Sequence, residues 1–175
     1  MKIAIIGYSG SGKSTLARQL GEAYNLPVLH FDKVQFRPNW EIRPQQSKEV
    51  MTKAFLDLHD AWVIDGNYSK LSFARRMEEA DVIILLLFSR LSCLYRVSHR
   101  YLVYKDASRP DMADGCKEKL DWEFVKWVLW KGRSKETRER FQGLCSRYPH
   151  KTLVIKNQWQ LNRVRKRIDK ILMHR

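Results

Sequence analysis

The chain is poor in cysteine, in acidic residues and in long apolar runs. Its three cysteines, Cys93, Cys116 and Cys145, are widely separated and odd in number. They suggest neither a disulfide framework nor a zinc site, and a reducing cytoplasm is the expected location. No apolar stretch approaches the ~20 residues needed to span a bilayer, so no membrane partner is expected. Met1-Lys2 leads directly into an apolar run, which leaves no leader peptide to expect. Internal repeats, low-complexity tracts and linkers are also missing, and the expectation is a single domain over residues 1–175. The shortage of acid is pronounced: 19 Asp and Glu stand against 33 Lys and Arg, a formal charge of +14. A basic surface favours polyanions, either nucleotides and polyphosphates or nucleic acids, without choosing between them. Part of the charge reads as a solvated face. Arg163, Arg165, Lys166, Arg167 and Lys170 fall on the wet side of a terminal helix whose buried side is Leu161, Val164, Ile168 and Leu172.

What is present is enough apolar residue for a real core. The 175 residues are 44% hydrophobic and 11% aromatic, which argues for a folded globule rather than disorder. The most specific feature is Gly7-Tyr8-Ser9-Gly10-Ser11-Gly12-Lys13-Ser14, a complete G-x-x-x-x-G-K-[ST] phosphate-binding loop. Its glycines take backbone conformations closed to other residues and let N–H groups approach phosphate oxygens. Lys13 can reach the β- and γ-phosphates of ATP, and the Ser14 hydroxyl can ligate Mg²⁺. Backbone amides from Ser9 through Thr15 complete the cradle, and the following helix aims its positive end at the same anion. The context fits. Lys2-Ile3-Ala4-Ile5-Ile6 reads as a buried parallel strand. Leu16, Leu20 and Tyr24 then recur at helical spacing until Asn25 and Pro27 close the helix.

Strands and helices alternate along the rest of the chain, which predicts an α/β fold with a doubly wound, five-stranded parallel sheet. The second strand is expected at 27–31, ending in His30-Phe31-Asp32. A helix over 45–60 places Val50, Met51, Ala54, Phe55 and Leu58 on one stripe. The third strand, 61–64, delivers Asp65-Gly66-Asn67-Tyr68. The fourth, 82–88, is too apolar to sit at an edge. A basic, aromatic helix is expected over 90–104, a loop over 106–115, helices over 117–131 and 134–147, a fifth strand at 151–155, and the terminal helix from about Gln158. Residues of about 105–135 thus read as a helical, lid-like insertion between strands four and five. Within it, Leu120, Phe124, Trp127 and Val128 share a stripe that favours core packing over nucleic-acid stacking by the interleaved Trp and Lys.

Ligands of such sheets bind beyond the carboxyl ends of the strands. That rule selects the phosphate loop, Asp32 and Asp65 together. One carboxylate near the loop can hold Mg²⁺ or one of its waters, and another can accept a proton from an attacking hydroxyl. Either can instead be a turn or helix-cap residue. His30 reads as a buried, hydrogen-bonded side chain rather than a catalytic one, and Phe36 and Trp40 as pocket lining or loop packing. Arg96 and Arg100 are four apart, on one helical face. With Arg133 they are the candidates to neutralise charge on a transferring phosphoryl group; Arg109 in the loop and Arg138 and Arg140 on the helix over 134–147 are further cations.

These residues resemble the nucleoside monophosphate kinase group of P-loop kinases. Val63-Ile64-Asp65-Gly66 looks like the Asp-Gly pair that ends the third strand of adenylate kinases. Arg96 and Arg100 look like the paired arginines before their lid, and Glu136-Thr137-Arg138-Glu139-Arg140-Phe141 resembles the segment after it. A closer resemblance, to the bacterial DNA topology modulation, or FlaR-like, family, spans nearly the whole chain. It rests on Gly7 to Thr15, Leu29-His30-Phe31-Asp32, Ile64-Asp65-Gly66-Asn67-Tyr68-Ser69, Ser108-Arg109-Pro110-Asp111-Met112-Ala113 and Leu120-Asp121-Trp122-Glu123-Phe124. The resemblance implies an ATP-binding, kinase-type fold. Asn67-Tyr68-Ser69 departs from the Phe-Pro-Arg of adenylate kinases and removes an arginine expected at an acceptor phosphate. A GTPase is disfavoured, because Asp65-Gly66 does not make a D-x-x-G switch and no N-K-x-D motif occurs.

The expected function is a small kinase passing the ATP γ-phosphoryl to an unidentified small acceptor. Its catalytic set is Lys13, Asp32, Asp65, Arg96, Arg100 and Arg133. Its nucleotide cradle is Gly7, Ser9, Gly10, Ser11, Gly12, Lys13, Ser14 and Thr15, and its Mg²⁺ ligands are Ser14 and Asp65, with the roles of Asp32 and Asp65 exchangeable. The alternative is a nucleotide-dependent DNA-binding protein without robust kinase activity.

Overall fold

The structure is a computed structural model that describes residues 1–105, 109, 111–118 and 120–173, without the side chain of Leu172. Asp106, Ser108 and Pro110 of the expected loop and family motif therefore lie outside the described residues, as does the Leu172 side chain of the terminal stripe.

Five parallel strands form the sheet: β1 (Lys2–Gly7), β2 (Val28–His30), β3 (Trp62–Asp65), β4 (Val82–Leu86) and β5 (Thr152–Ile155), in the order β2-β3-β1-β4-β5. The central strands are those with unbroken apolar runs. Every residue of Val82–Leu86 and of Ile3–Ile6 is fully buried, as a strand covered on both faces requires. The edge strand β5 instead alternates buried and half-buried positions. Full burial of each Val, Leu or Ile side chain contributes roughly 1.5–3 kcal/mol, so this centre is the most strongly held part of the chain.

The helices are α1 (Lys13–Tyr24), α2 (Phe31–Gln35), α3 (Gln45–Leu58), α4 (Phe73–Glu79), α5 (Arg90–Tyr104), α6 (Trp122–Leu129), α7 (Lys135–Arg147), α8 (Gln158–Asn162) and α9 (Val164–Met173). None of the described helices is long and apolar enough to cross a membrane. Helix α1 ends where Asn25 turns left-handed at φ 51°, the expected stop.

Five features depart from the sequence expectation. Helix α3 does not bury the Val50–Leu58 stripe: Lys48, Thr52 and Leu56 face inward, while Val50 is 61% and Leu58 77% exposed. The inward polar groups are satisfied, with Lys48 Nζ donating to Gln35 Oε1 at 2.9 Å and Thr52 Oγ1 to the Lys48 carbonyl at 2.8 Å, which makes their burial tolerable. Helix α6 starts at Trp122 rather than Lys117, because the Asp121 carboxylate accepts from the Phe124 N–H at 2.8 Å and caps it there. Residues 114–117 instead lie against the 37–40 turn, where Asn39 N–H donates to the Asp114 carbonyl and Trp40 N–H to Cys116 Sγ. On α6, Val128 is buried but Trp127 is half exposed, correcting the expected stripe. Helix α4 had no counterpart in the sequence reading, and the terminal helix is divided at Arg163 into α8 and α9.

Candidate active site

The phosphate loop leaves β1 at Gly7, whose φ of 142° lies outside the range of ordinary residues and whose absent side chain lets the backbone abut Leu86 of β4. At Gly10 the φ is 74°, and a Cβ would sit 2.6 Å from Val97 Cγ2 and 2.8 Å from the Cys93 carbonyl. Helix α5 therefore packs directly on the loop and sets its shape. No side chain caps α1 at Gly12, which leaves its first N–H groups to an anionic ligand.

Lys13 Nζ donates to the carbonyls of Gly7 at 3.2 Å and Tyr8 at 3.0 Å. Burial pushes its pKa below the ordinary lysine value, and Asp32 and then Asp65 pull it back up. The register explains why these carboxylates are near. Asp65 pairs with Ile5 of β1 on one side and His30 of β2 on the other, so all three share one rung. His30 Nδ1 lies 2.9 Å from Asp65 Oδ1, so this imidazole orients the carboxylate and is a hydrogen-bonded residue, as the sequence suggested. Asp32 stands in the first turn of α2 and accepts from the Tyr68 hydroxyl at 2.7 Å. Burial foremost, and then Asp32, raise the Tyr68 pKa, so Tyr68 remains a hydroxyl donor.

A cleft of about 840 Å³ runs along the carboxyl ends of the strands, lined among others by Ser9, Gly10, Gly12, Lys13, Ser14, Thr15, Asp32, Asp65, Arg96 and Arg100, a volume suited to a small-molecule ligand. Gly7 and Ser11 belong to the loop but not to the cleft wall, and Ser11 is fully buried. The Ser14 hydroxyl and the carboxylates of Asp32 and Asp65 give the wall hard oxygen donors. Mg²⁺ bound jointly with phosphates asks for few protein ligands of this type, and the donor set fits it.

The arginines divide. Arg96 donates to the Ser11 carbonyl at 2.7 Å and to Gln158 Oε1 at 2.6 Å, with its guanidinium 3.9 Å over the Phe88 ring. Arg100 donates to Glu118 Oε2 at 3.1 Å. Burial lowers its pKa, Arg109 lowers it further, and Glu118 opposes both. Buried Glu118 also pairs with Arg109, which reaches Asp111 at 2.9 Å. Glu118 thus holds two arginines on the cleft wall. Arg133, placed by the sequence reading at the phosphates, is not on that wall. Its guanidinium stacks 3.8 Å over Tyr8 and donates to the carbonyls of Phe88 at 2.9 Å and Val128 at 3.1 Å. Arg138 and Arg140 do not line the cleft either.

Three residues here had no role in the sequence reading. Glu118 carries no local signal, because its partners are 9 and 18 positions away. Asn67 Oδ1 accepts from the Gly7 N–H at 2.9 Å while its Nδ2 donates to the Gly7 carbonyl at 2.7 Å. Arg76 is fully buried and donates to three backbone carbonyls of the 66–71 loop. The one cue in the sequence was the Asn67-Tyr68 pair directly after Asp65-Gly66; Arg76 sits in a charged run, beside Arg75, and looks like surface.

No protein-family model matches the chain, and no curated protein matches it by sequence. Known structures match it over nearly its full length. The deoxyadenosine kinase of M. mycoides with the products dCMP and a flexible dCDP superposes with a TM-score of 0.55 at 13% identity, covering 97% of this chain and 100% of the other. Shikimate kinase from Acinetobacter baumannii in complex with shikimate gives a TM-score of 0.59 at 16% identity, covering 99% and 94%. At such identities the likeness is one of fold: a five-stranded parallel sheet with surrounding helices, as in these P-loop kinases.

Proposed function

We propose that the protein is an ATP–Mg²⁺-dependent phosphotransferase that passes the γ-phosphoryl group to the hydroxyl of a small acceptor lacking a phosphate of its own, and that it belongs with the FlaR-like proteins it resembles. The observation that carries the reading is the convergence of Lys13, Asp32 and Asp65 on one cleft at the carboxyl ends of the strands. Lys13 and the amides of residues 9–15 hold the phosphates. Ser14 and Asp65 are the residues to hold Mg²⁺, which when bound offsets charge on the phosphate oxygens. Asp32, aimed by the Tyr68 hydroxyl, accepts the proton of the attacking acceptor hydroxyl. Arg96 and Arg100 offset the charge spread over the transferring group. Arg133 supports the loop through Tyr8 instead.

Two observations support an acceptor without a phosphate of its own. Asn67-Tyr68-Ser69 supplies no arginine, and Arg76 is committed to backbone carbonyls. The names of the two structural neighbours, deoxyadenosine kinase and shikimate kinase, likewise refer to acceptors without phosphate. The nucleic-acid reading stays second, favoured by the exposure of Trp122, Trp127 and Trp130 beside Lys126 and Lys131. It requires binding at physiological salt that charge reversal at Lys126 and Lys131 abolishes. A screen of nucleosides and small hydroxyl metabolites for acceptor-dependent ADP release tests the kinase reading. An acceptor that stimulates release supports it, and nucleotide binding without stimulation by any acceptor opposes it.

A further inference from the structure

The loop after β3 touches both halves of the cleft through consecutive side chains. Asn67 grips Gly7 by both its N–H and its carbonyl, at 2.9 and 2.7 Å. Gly7 is where the phosphate loop turns out of the sheet, and the same carbonyl receives Lys13 Nζ at 3.2 Å. The next residue, Tyr68, reaches the other way and places its hydroxyl 2.7 Å from Asp32. A backbone shift in this loop therefore moves the donor cradle and the acceptor-side carboxylate together.

Arg76 holds that loop in shape. Its side chain is fully buried, and its guanidinium fork donates to the carbonyls of Leu71 at 3.0 Å, Gly66 at 3.3 Å and Tyr68 at 2.9 Å. It stacks 4.3 Å over Phe31, the residue before Asp32, and 5.3 Å over Phe73. No carboxylate forms an ion pair with it among the described residues; Asp65 acts on it only through its field. Burying a cation this way is costly, and an apolar side chain of similar size would fill the space at less cost. What an apolar side chain cannot supply is a planar fork that fixes three carbonyls and one aromatic ring at once.

We propose that residues 66–71 form a spacer that sets the distance between donor and acceptor, and that Arg76 is the positioning residue that fixes this spacer. Asn67 governs the phosphate loop, Tyr68 governs Asp32, and Arg76 keeps the two in register. The acceptor half of this inference rests on the kinase reading; the donor half concerns nucleotide binding alone.

The test uses the full chain with Asn67→Ala, Tyr68→Phe and Arg76→Lys, measuring fluorescent ATP affinity, kcat and KM for the acceptor, and the thermal midpoint. Asn67→Ala is expected to weaken nucleotide binding roughly tenfold, the scale of two lost neutral hydrogen bonds. Tyr68→Phe is expected to keep nucleotide affinity and to lower kcat for the acceptor. Arg76→Lys keeps the charge but not the fork, and is expected to lower nucleotide affinity and kcat together in a protein that still melts cooperatively. Unchanged ATP affinity in Asn67→Ala overturns the inference, as does a Tyr68→Phe variant that loses nucleotide affinity. A folded Arg76→Lys variant with wild-type nucleotide affinity and kcat overturns the role of Arg76; if that variant fails to fold, the split between the first two still decides the spacer. If the wild type binds ATP but transfers nothing, the kinase reading fails by itself, while the Asn67 result still judges the donor half.

Discussion

Replacing Lys13 with methionine keeps most of the side chain's length and removes its charge. In the structure the ammonium bonds the carbonyls of Gly7 and Tyr8. In the proposed nucleotide complex it pairs with the phosphates instead, so the substitution removes both interactions. A hydrogen bond to a charged partner contributes about 1.5–3 kcal/mol, so nucleotide affinity should fall about 10- to 150-fold. Stability should change little, because the loss of two hydrogen bonds is offset by relief of the burial that lowers the Lys13 pKa. A net change of about 1 kcal/mol corresponds to only ~2–4 °C in Tm at this chain length. The pH dependence has a definite sign. The folded pKa lies below 10.5, so between the two values the unfolded chain carries the extra proton, and the contribution of Lys13 to stability rises with pH across that window. Nucleotide binding runs the opposite way, because only the protonated amine pairs with phosphate. Titration of a fluorescent ATP analogue from neutral pH up to pH ~10 should show affinity falling in the wild type and a flatter profile in Lys13→Met. A folded Lys13→Met protein with wild-type affinity and the same pH profile would refute this reasoning.

Three further substitutions test the packing. Leu56→Ala should cost roughly 2–5 kcal/mol as a buried truncation, whereas Leu58→Ala, at a position 77% exposed, should stay within about 0.5 kcal/mol; chemical denaturation separates them, and the reverse order would restore the stripe expected from sequence. Gly10→Ala adds a Cβ 2.6 Å from Val97 Cγ2 at a φ of 74°, so it should lower both the melting temperature and nucleotide affinity; a neutral outcome in both assays would mean that α5 does not constrain the loop.

Much of the fold was legible because its signals are local. The phosphate loop announces itself between an apolar strand and a periodic helix, and the unbroken run at Val82–Leu86 could belong only to a central strand. Helix α5 spans Arg90–Tyr104 as the spacing predicts. Asp32 and Asp65 were found by one rule, that ligands gather at the carboxyl ends of parallel strands, and the structure places both on the cleft wall with Lys13, Arg96 and Arg100. Features set by distant partners were not legible. Lys48 can be buried because Gln35 satisfies it, which reverses the reading of α3. Arg133 looked like one more phosphate clamp, but it finds Tyr8 and the Phe88 carbonyl instead. Asn67 meets Gly7 across 60 positions, and no periodicity records such a bond.

The proposed reaction is transfer of a phosphoryl group to a hydroxyl other than water, with Asp32 as the base. Incubating the protein with γ-labelled ATP, Mg²⁺ and a panel of nucleosides and hydroxyl metabolites, beside an Asp32→Asn variant, measures it directly. The expected result is a labelled organic product whose formation falls by about 10²–10⁴-fold in Asp32→Asn while nucleotide affinity holds. Label released only as inorganic phosphate, or product formed equally well by Asp32→Asn, would contradict it.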